Sequence, residues 1–241
     1  MHEMKKFGML LLLLLLSCQH NQSKSSVNIY SIPQANKRDK SLPELLESFT
    51  DSINIGQKSF NKLELKRYRS ADSSYVLIKF YSKKNNKWVV KNVFRYDKDL
   101  VSDCDTQISD FNNDGFKDMT YVSAIGARGA NEIRRLFIYD NKNDQLISIT
   151  NSEMYPNMRY NNKLNCIDAF LVYGGCSTVF LKLSGDSLKE FANVELFDGL
   201  TVTTYDKNGK EKVILRDKSN KHKDVRYNNF DPLKAYPDSG E

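Results

Sequence analysis

From Leu63 to Leu215 the chain is a succession of short segments rich in β-branched and aromatic residues, each interrupted by Asn, Asp, Lys or Gly. Such segments suit a pleated, half-buried surface, and their interruptions are turn chemistry. They run Leu63 to Leu65, Tyr75 to Tyr81, Trp88 to Tyr96, Met119 to Ala124, Leu136 to Tyr139 and Leu146 to Ile149. They continue with Leu164 to Tyr173, Thr178 to Leu183, Phe191 to Phe197, Val202 to Tyr205 and Lys212 to Leu215. Asn208-Gly209, between the last two, is the strongest hairpin signal in the chain. Strands following one another without intervening helices predict an all-β domain, an antiparallel meander of the propeller-like or barrel kind. One helix is expected at its entrance. Ser41 stands three residues before Glu44 in capping-box spacing, Pro43 falls in the first turn, and Leu45, Leu46, Phe49 and Ile53 recur at helical intervals.

The ends have a different character. Lys5 and Lys6 precede an apolar block that includes Leu10 to Leu16 and closes on Ser17-Cys18. That block is shorter than the ~20 residues a membrane-spanning helix needs, and its basic flank and small residue before the cut are those of a secretory signal. Leu15-Leu16-Ser17-Cys18 resembles a bacterial lipobox, which implies cleavage after residue 17 and lipidation of Cys18. Gln19 rather than Asp follows, and by resemblance to lipoprotein sorting this implies an outer-membrane lipoprotein facing the periplasm. Residues 18–40 are polar and lack an apolar pattern, so they are expected to be a tether. The folded domain is placed at 41–216. A polar tail or final edge strand is placed at 217–241. The formal charge of +6 would help a tethered domain rest on anionic surfaces. No Arg/Lys cluster with interleaved aromatics points to nucleic acid.

Asp110-Phe111-Asn112-Asn113-Asp114-Gly115-Phe116-Lys117-Asp118 sets oxygen side chains at alternate positions before a glycine turn. This spacing suits Ca²⁺, held by Asp110, Asn112, Asp114, the Phe116 carbonyl and Asp118. Tyr121 stands where an EF-hand carries its bidentate Glu, so the loop fits the shorter form that closes on Asp118 between two strands. An ion-free turn is the alternative.

Of the three histidines, His2 and His20 fall in the signal and the tether, leaving His222 in the polar tail. Nucleophilic catalysis with an imidazole base and zinc chemistry are both disfavoured by that scarcity. Asp103, Asp105, Glu132 and Asp168 carry no mark separating an acid from a base, so an enzyme is not expected. A carboxylate-dependent glycosidase remains the less favoured alternative. Beyond Cys18, export predicts one disulfide among Cys104, Cys166 and Cys176, either Cys166 with Cys176 or Cys104 with Cys166.

The stretch Ile108 to Ile149 contains the Asp/Asn-rich loop, a strand, Gly126-Ala127-Arg128-Gly129-Ala130-Asn131 and then Leu-Phe-Ile-Tyr139-Asp140. It resembles a blade of the periplasmic β-propeller family that includes lysozyme inhibitors and immunity proteins, and its loop is similar to FG-GAP-like calcium blades. The resemblance implies a non-catalytic binder of lysozyme-like hydrolases. From its position next to the calcium loop, the glycine-rich loop is expected to present Arg128, Gly129 and Asn131 at the contact, with a solvated loop charge as the alternative for Arg128. A structural or glycan-binding lipoprotein is the alternative.

Overall fold

A computed structural model of the chain describes residues 42–70, 73–219 and 221–237. Cys18, the signal segment and the tether lie outside the described residues. The domain is all-β, with antiparallel sheets, none closed into a barrel. The first sheet is the meander β1 (Glu44–Asp51), β2 (Asn61–Ser70), β3 (Ser73–Lys84) and β4 (Lys87–Lys98). The second is β5 (Gln107–Ser109), β6 (Asp118–Gly126), β7 (Asn131–Asp140) and β8 (Gln145–Ser148). The third holds β9 (Arg159–Asn161), β10 (Cys166–Val172), β11 (Cys176–Ser184), β12 (Ser187–Leu196), β13 (Leu200–Tyr205) and β14 (Glu211–Asp217), again in sequence order. A separate hairpin, β15 (Tyr227–Phe230) and β16 (Leu233–Ala235), closes the described chain.

Side-chain alternation explains how the sheets stack. On β2 and β3, Leu63, Leu65, Val76, Ile78 and Phe80 all point to one buried face, while Lys62, Glu64, Lys66, Lys79 and Tyr81 point away. That apolar face meets Met119, Tyr121, Phe137, Tyr139 and Leu146 of the second sheet. The other face of the second sheet, through Leu136 and Ile138, packs with Ile167, Ala169, Val179 and Leu181 of the third. Leu136-Phe137-Ile138-Tyr139 is therefore a continuous apolar run because β7 has both faces covered. Phe137 is fully buried against Phe94 of the first sheet, ring centroids 5.1 Å apart; burying a side chain of this size contributes roughly 1.5–3 kcal/mol.

The expected entrance helix is a strand. Residues Glu44 to Asp51 pair antiparallel with β2, from Glu44 opposite Arg69 to Asp51 opposite Leu63. Pairing to a long neighbouring strand outweighs local helical spacing, and Phe49 covers the first core from this edge. The Asp51 carboxylate ends the strand by accepting the amides of Ile53, Asn54 and Ile55 at 3.2, 2.7 and 2.9 Å. The hairpin at Asn208-Gly209 is present, with Tyr205 opposite Glu211 and Gly209 at φ 79°.

The region placed as a polar tail or final edge strand takes strand form, a hairpin that contributes Tyr227, Phe230, Leu233 and Ala235 to a third core with Phe180, Val194 and Val202. One further expectation is corrected. The three cysteines of the domain are free and buried. Cys176 stands opposite Val172, so Cys166 lies six residues down the neighbouring strand, roughly 20 Å away at the usual strand rise.

Candidate functional site

The Asp110 to Asp118 loop joins β5 to β6 and is shaped by its own carboxylates. Asp110 accepts the Asp114 amide at 3.3 Å and the Gly115 amide at 3.0 Å, and Asp114 accepts the Phe116 amide at 2.9 Å. Asn112 Oδ1 accepts the Asp114 amide at 3.2 Å, while its amide group donates to Asp114 Oδ2 at 2.8 Å. Asn113 at φ 59° and Gly115 at φ 89° supply the left-handed backbone these bends require. Phe111 is buried in the second core and Phe116 meets the Tyr139 ring edge-on, so the loop is anchored at two aromatic points.

Asp118 is the deepest member. Fully buried at the start of β6, it accepts the Phe111 amide at 2.8 Å and the Tyr139 amide at 2.9 Å. It thereby ties the loop to β7. Burial pushes its carboxyl up to about 7 despite those two donors, and the negative charges of Asp114 and Asp110 push the same way. Among the described residues no group of three His, Cys, Asp or Glu side chains is gathered as for a metal ion. The chemistry of the donor set nevertheless fits a hard cation. The negative charges of Asp110 and Asp114 bear on Asp118, and a divalent ion would offset them.

The glycine-rich loop lies at the far end of the same strand. β6 is nine residues long, which separates the two loops by roughly 26 Å at the rise of an extended strand; the expected adjacency is not formed. Ala127, Arg128 and Gly129 are successively left-handed, at φ 47°, 55° and 100°. All three are exposed, and among the described residues the Arg128 side chain makes neither an ion pair nor a hydrogen bond. Asn131 faces inward instead. Its side chain donates to the Val172 carbonyl and accepts the Val172 amide, each at 2.9 Å, clamping the loop to β10. Asn157 completes the base by donating to the Ala130 and Phe170 carbonyls, both at 2.8 Å, and accepting the Glu132 amide at 3.1 Å. The sequence carries no spacing signal for Asn157, because its partners come from two other segments.

The carboxylates considered for acid–base work are committed to ion pairs. Asp103 faces Arg67 at 3.5 Å, and Asp105 and Glu132 both pair with Arg134. Asp168 is buried against Arg226.

No protein-family model and no curated protein matches the chain. Among solved structures, the chain is similar to one titled "Structure of a Xanthomonas Type IV Secretion System related protein", at 9% identity and a TM-score of 0.46, covering 72% of this chain and 98% of that one.

Proposed function

We propose that this chain is an exported bacterial lipoprotein, anchored through Cys18, whose β-domain is a non-catalytic binding protein of the cell envelope with a lysozyme-like cell-wall hydrolase as its target. The observation that carries the reading is the Ala127-Arg128-Gly129 turn. Two non-glycine residues in left-handed conformation cost energy, and strain of this kind persists where a side chain must be presented in a fixed place. Asn131 and Asn157 hold the turn's base to the third sheet. Arg128 is thus displayed on a rigid support, with its guanidinium free to pair with a partner's carboxylates. Gly129 leaves open space around its Cα, so a partner can approach the backbone closely. Asn131 acts from behind, as the clamp of the contact loop.

Ca²⁺ belongs to the same reading, held by Asp110, Asn112, Asp114, Asp118 and the Phe116 carbonyl, where it neutralises the loop's charge. The face-to-face succession of meanders supports treating the sheets as propeller-blade-like units. The ion pairs made by Asp105, Glu132 and Asp168 support binding over acid–base catalysis.

The test is inhibition of cell-wall lysis across a panel of lysozyme-like hydrolases. The domain is expected to slow lysis by at least one of them, and Arg128→Ala to weaken that effect by about 1 kcal/mol or more. No inhibition anywhere in the panel would leave a structural or glycan-binding lipoprotein. Labelled palmitate is expected to enter the wild-type chain and not Cys18→Ser.

A further inference from the structure

An open cleft of about 750 Å³ lies on the third sheet, between the β11–β12 rungs and the β13–β14 turn. Its geometry begins with a like-charged pair, for Lys182 on β11 and Lys189 on β12 are direct cross-strand partners. Two ammonium groups at opposed positions destabilise a sheet unless an anion lies between them. Lys207 reaches the same cleft from the β13–β14 turn. None of the three lysines is ion-paired among the described residues.

The floor is apolar and set by a β-bulge. The β11–β12 register passes from Phe180 opposite Ala192 to Leu181 opposite Glu190, leaving Phe191 as the inserted residue. A bulge re-aims its side chain. The Phe191 ring is placed 5.2 Å from Lys182 Nζ and wedged beside Phe180 and Phe230, at 6.4 and 6.0 Å between centroids. Tyr205 lines the cleft with it.

Acceptors and donors complete the wall. Burial raises the Glu190 carboxyl against donors from the Asn193 and Tyr205 side chains, and its Oε1 is shut off from solvent. Asp206 is spent on the turn, where Oδ1 accepts the Asn208 and Lys210 amides at 2.8 and 2.9 Å.

From this arrangement we infer that the cleft binds an acidic sugar. Its carboxylate lies among Lys182, Lys189 and Lys207, and its ring face rests on Phe191 and Tyr205. A flat apolar floor with a few convergent polar groups is the usual composition of a small-molecule site, and the volume lies in the usual range. A bare anion would leave the aromatic floor unused; a neutral sugar would leave the lysines opposed. The inference stands apart from the Arg128 loop, since no residue is shared.

The probe is N-acetylmuramic acid, titrated calorimetrically into the full-length chain in detergent, with N-acetylglucosamine as its counterpart lacking the lactyl carboxylate. Saturable binding is expected, about tenfold weaker or more for the neutral sugar. Lys182→Gln and Lys189→Gln should each weaken binding by about tenfold, the factor equivalent to 1.4 kcal/mol. Because each also removes the opposed pair, the melting temperature without ligand should hold or rise, so lost binding is not lost folding. Lys142→Gln, exposed on another sheet, should bind as the wild type does. The inference is overturned by an absence of saturable heat, by equal affinity for the two sugars, by inorganic phosphate or adenosine monophosphate binding as tightly, or by Lys142→Gln matching Lys182→Gln. Inhibition of hydrolases through Arg128 would be untouched by any of these results.

Discussion

Arg226 closes the described chain onto the third sheet through Asp168, its Nε donating to Oδ1 at 2.6 Å while its terminal nitrogens reach the Asp168 and Asn157 carbonyls at 2.8 and 2.7 Å. The Asp168 side chain is 0% exposed and that of Arg226 15%. Asn161 adds a donor to Asp168 at 2.8 Å and the Tyr236 hydroxyl another at 2.5 Å. Removing one partner of a buried pair typically costs about 3–5 kcal/mol, and here Arg159 at 3.7 Å stays behind as a second cation on Asp168. Arg226→Ala should therefore lower stability by up to about that amount in urea unfolding. Asn228→Ala, whose side-chain oxygen makes no hydrogen bond among the described residues, should change it by less than about 1 kcal/mol.

Calcium should raise the melting temperature, and a chelator should reverse the rise. The expected gain is about 2.7 kcal/mol at a hundredfold excess over Kd, absent in Asp114→Ala. Asp118→Asn carries a second penalty, since one of two backbone amides loses its acceptor; about 1–3 kcal/mol should disappear even without calcium. A melting curve indifferent to both calcium and chelator would make the loop an ion-free turn.

Replacing Arg128 with glycine separates support from contact. Arg128→Gly relieves the left-handed strain at φ 55°, and this should offset the added freedom of the unfolded chain and leave stability level or higher by up to ~1 kcal/mol. The same variant should lose inhibition. A variant that keeps full potency would show that the turn alone makes the contact.

Acid should loosen the join between the first and second sheets at Asp144. Burial opposes ionisation there, but donors from Ser82, Asn61 and Tyr139, with Lys91 nearby, outweigh it and hold the carboxyl below its ordinary value of 3.8. A depressed carboxylate contributes stability above its unfolded value, and that contribution is lost as pH falls through 3.8 and below. The acid unfolding midpoint of Asp144→Asn should depend less on pH in this window than that of the wild type. Identical profiles would remove Asp144 from the account.

The cysteines offer a direct check on the corrected disulfide. Burial pushes the Cys104 and Cys166 thiols up to about 12 and Cys176 to about 11, with Glu47, Asp168 and Asp224 respectively adding to the effect. Thiols so placed are inert. The native domain should resist a thiol reagent at pH 8 and release all three groups after denaturation; prompt reaction, or fewer than three, would contradict burial as free thiols.

What the sequence by itself determined is local. Alternation on β2 and β3, turn chemistry at Asn208-Gly209 and the oxygen spacing from Asp110 to Asp118 are set by neighbours within a few residues, and all three are legible before any folding. Tertiary structure decided whatever depends on a distant partner. Glu44 to Asp51 became a strand because β2 offered an edge, overriding a helical pattern. The two loops of the candidate site were parted because β6 runs extended between them, a distance that closeness in sequence conceals. Residues 225–236 joined the core because Arg226 met Asp168 and Tyr227 met the third core's apolar face. The cleft lysines, far apart along the chain in part, became neighbours only through cross-strand register and one bulge at Phe191. Pair energies depend on which strands meet, and that pairing is fixed only when the sheets bury their apolar faces together.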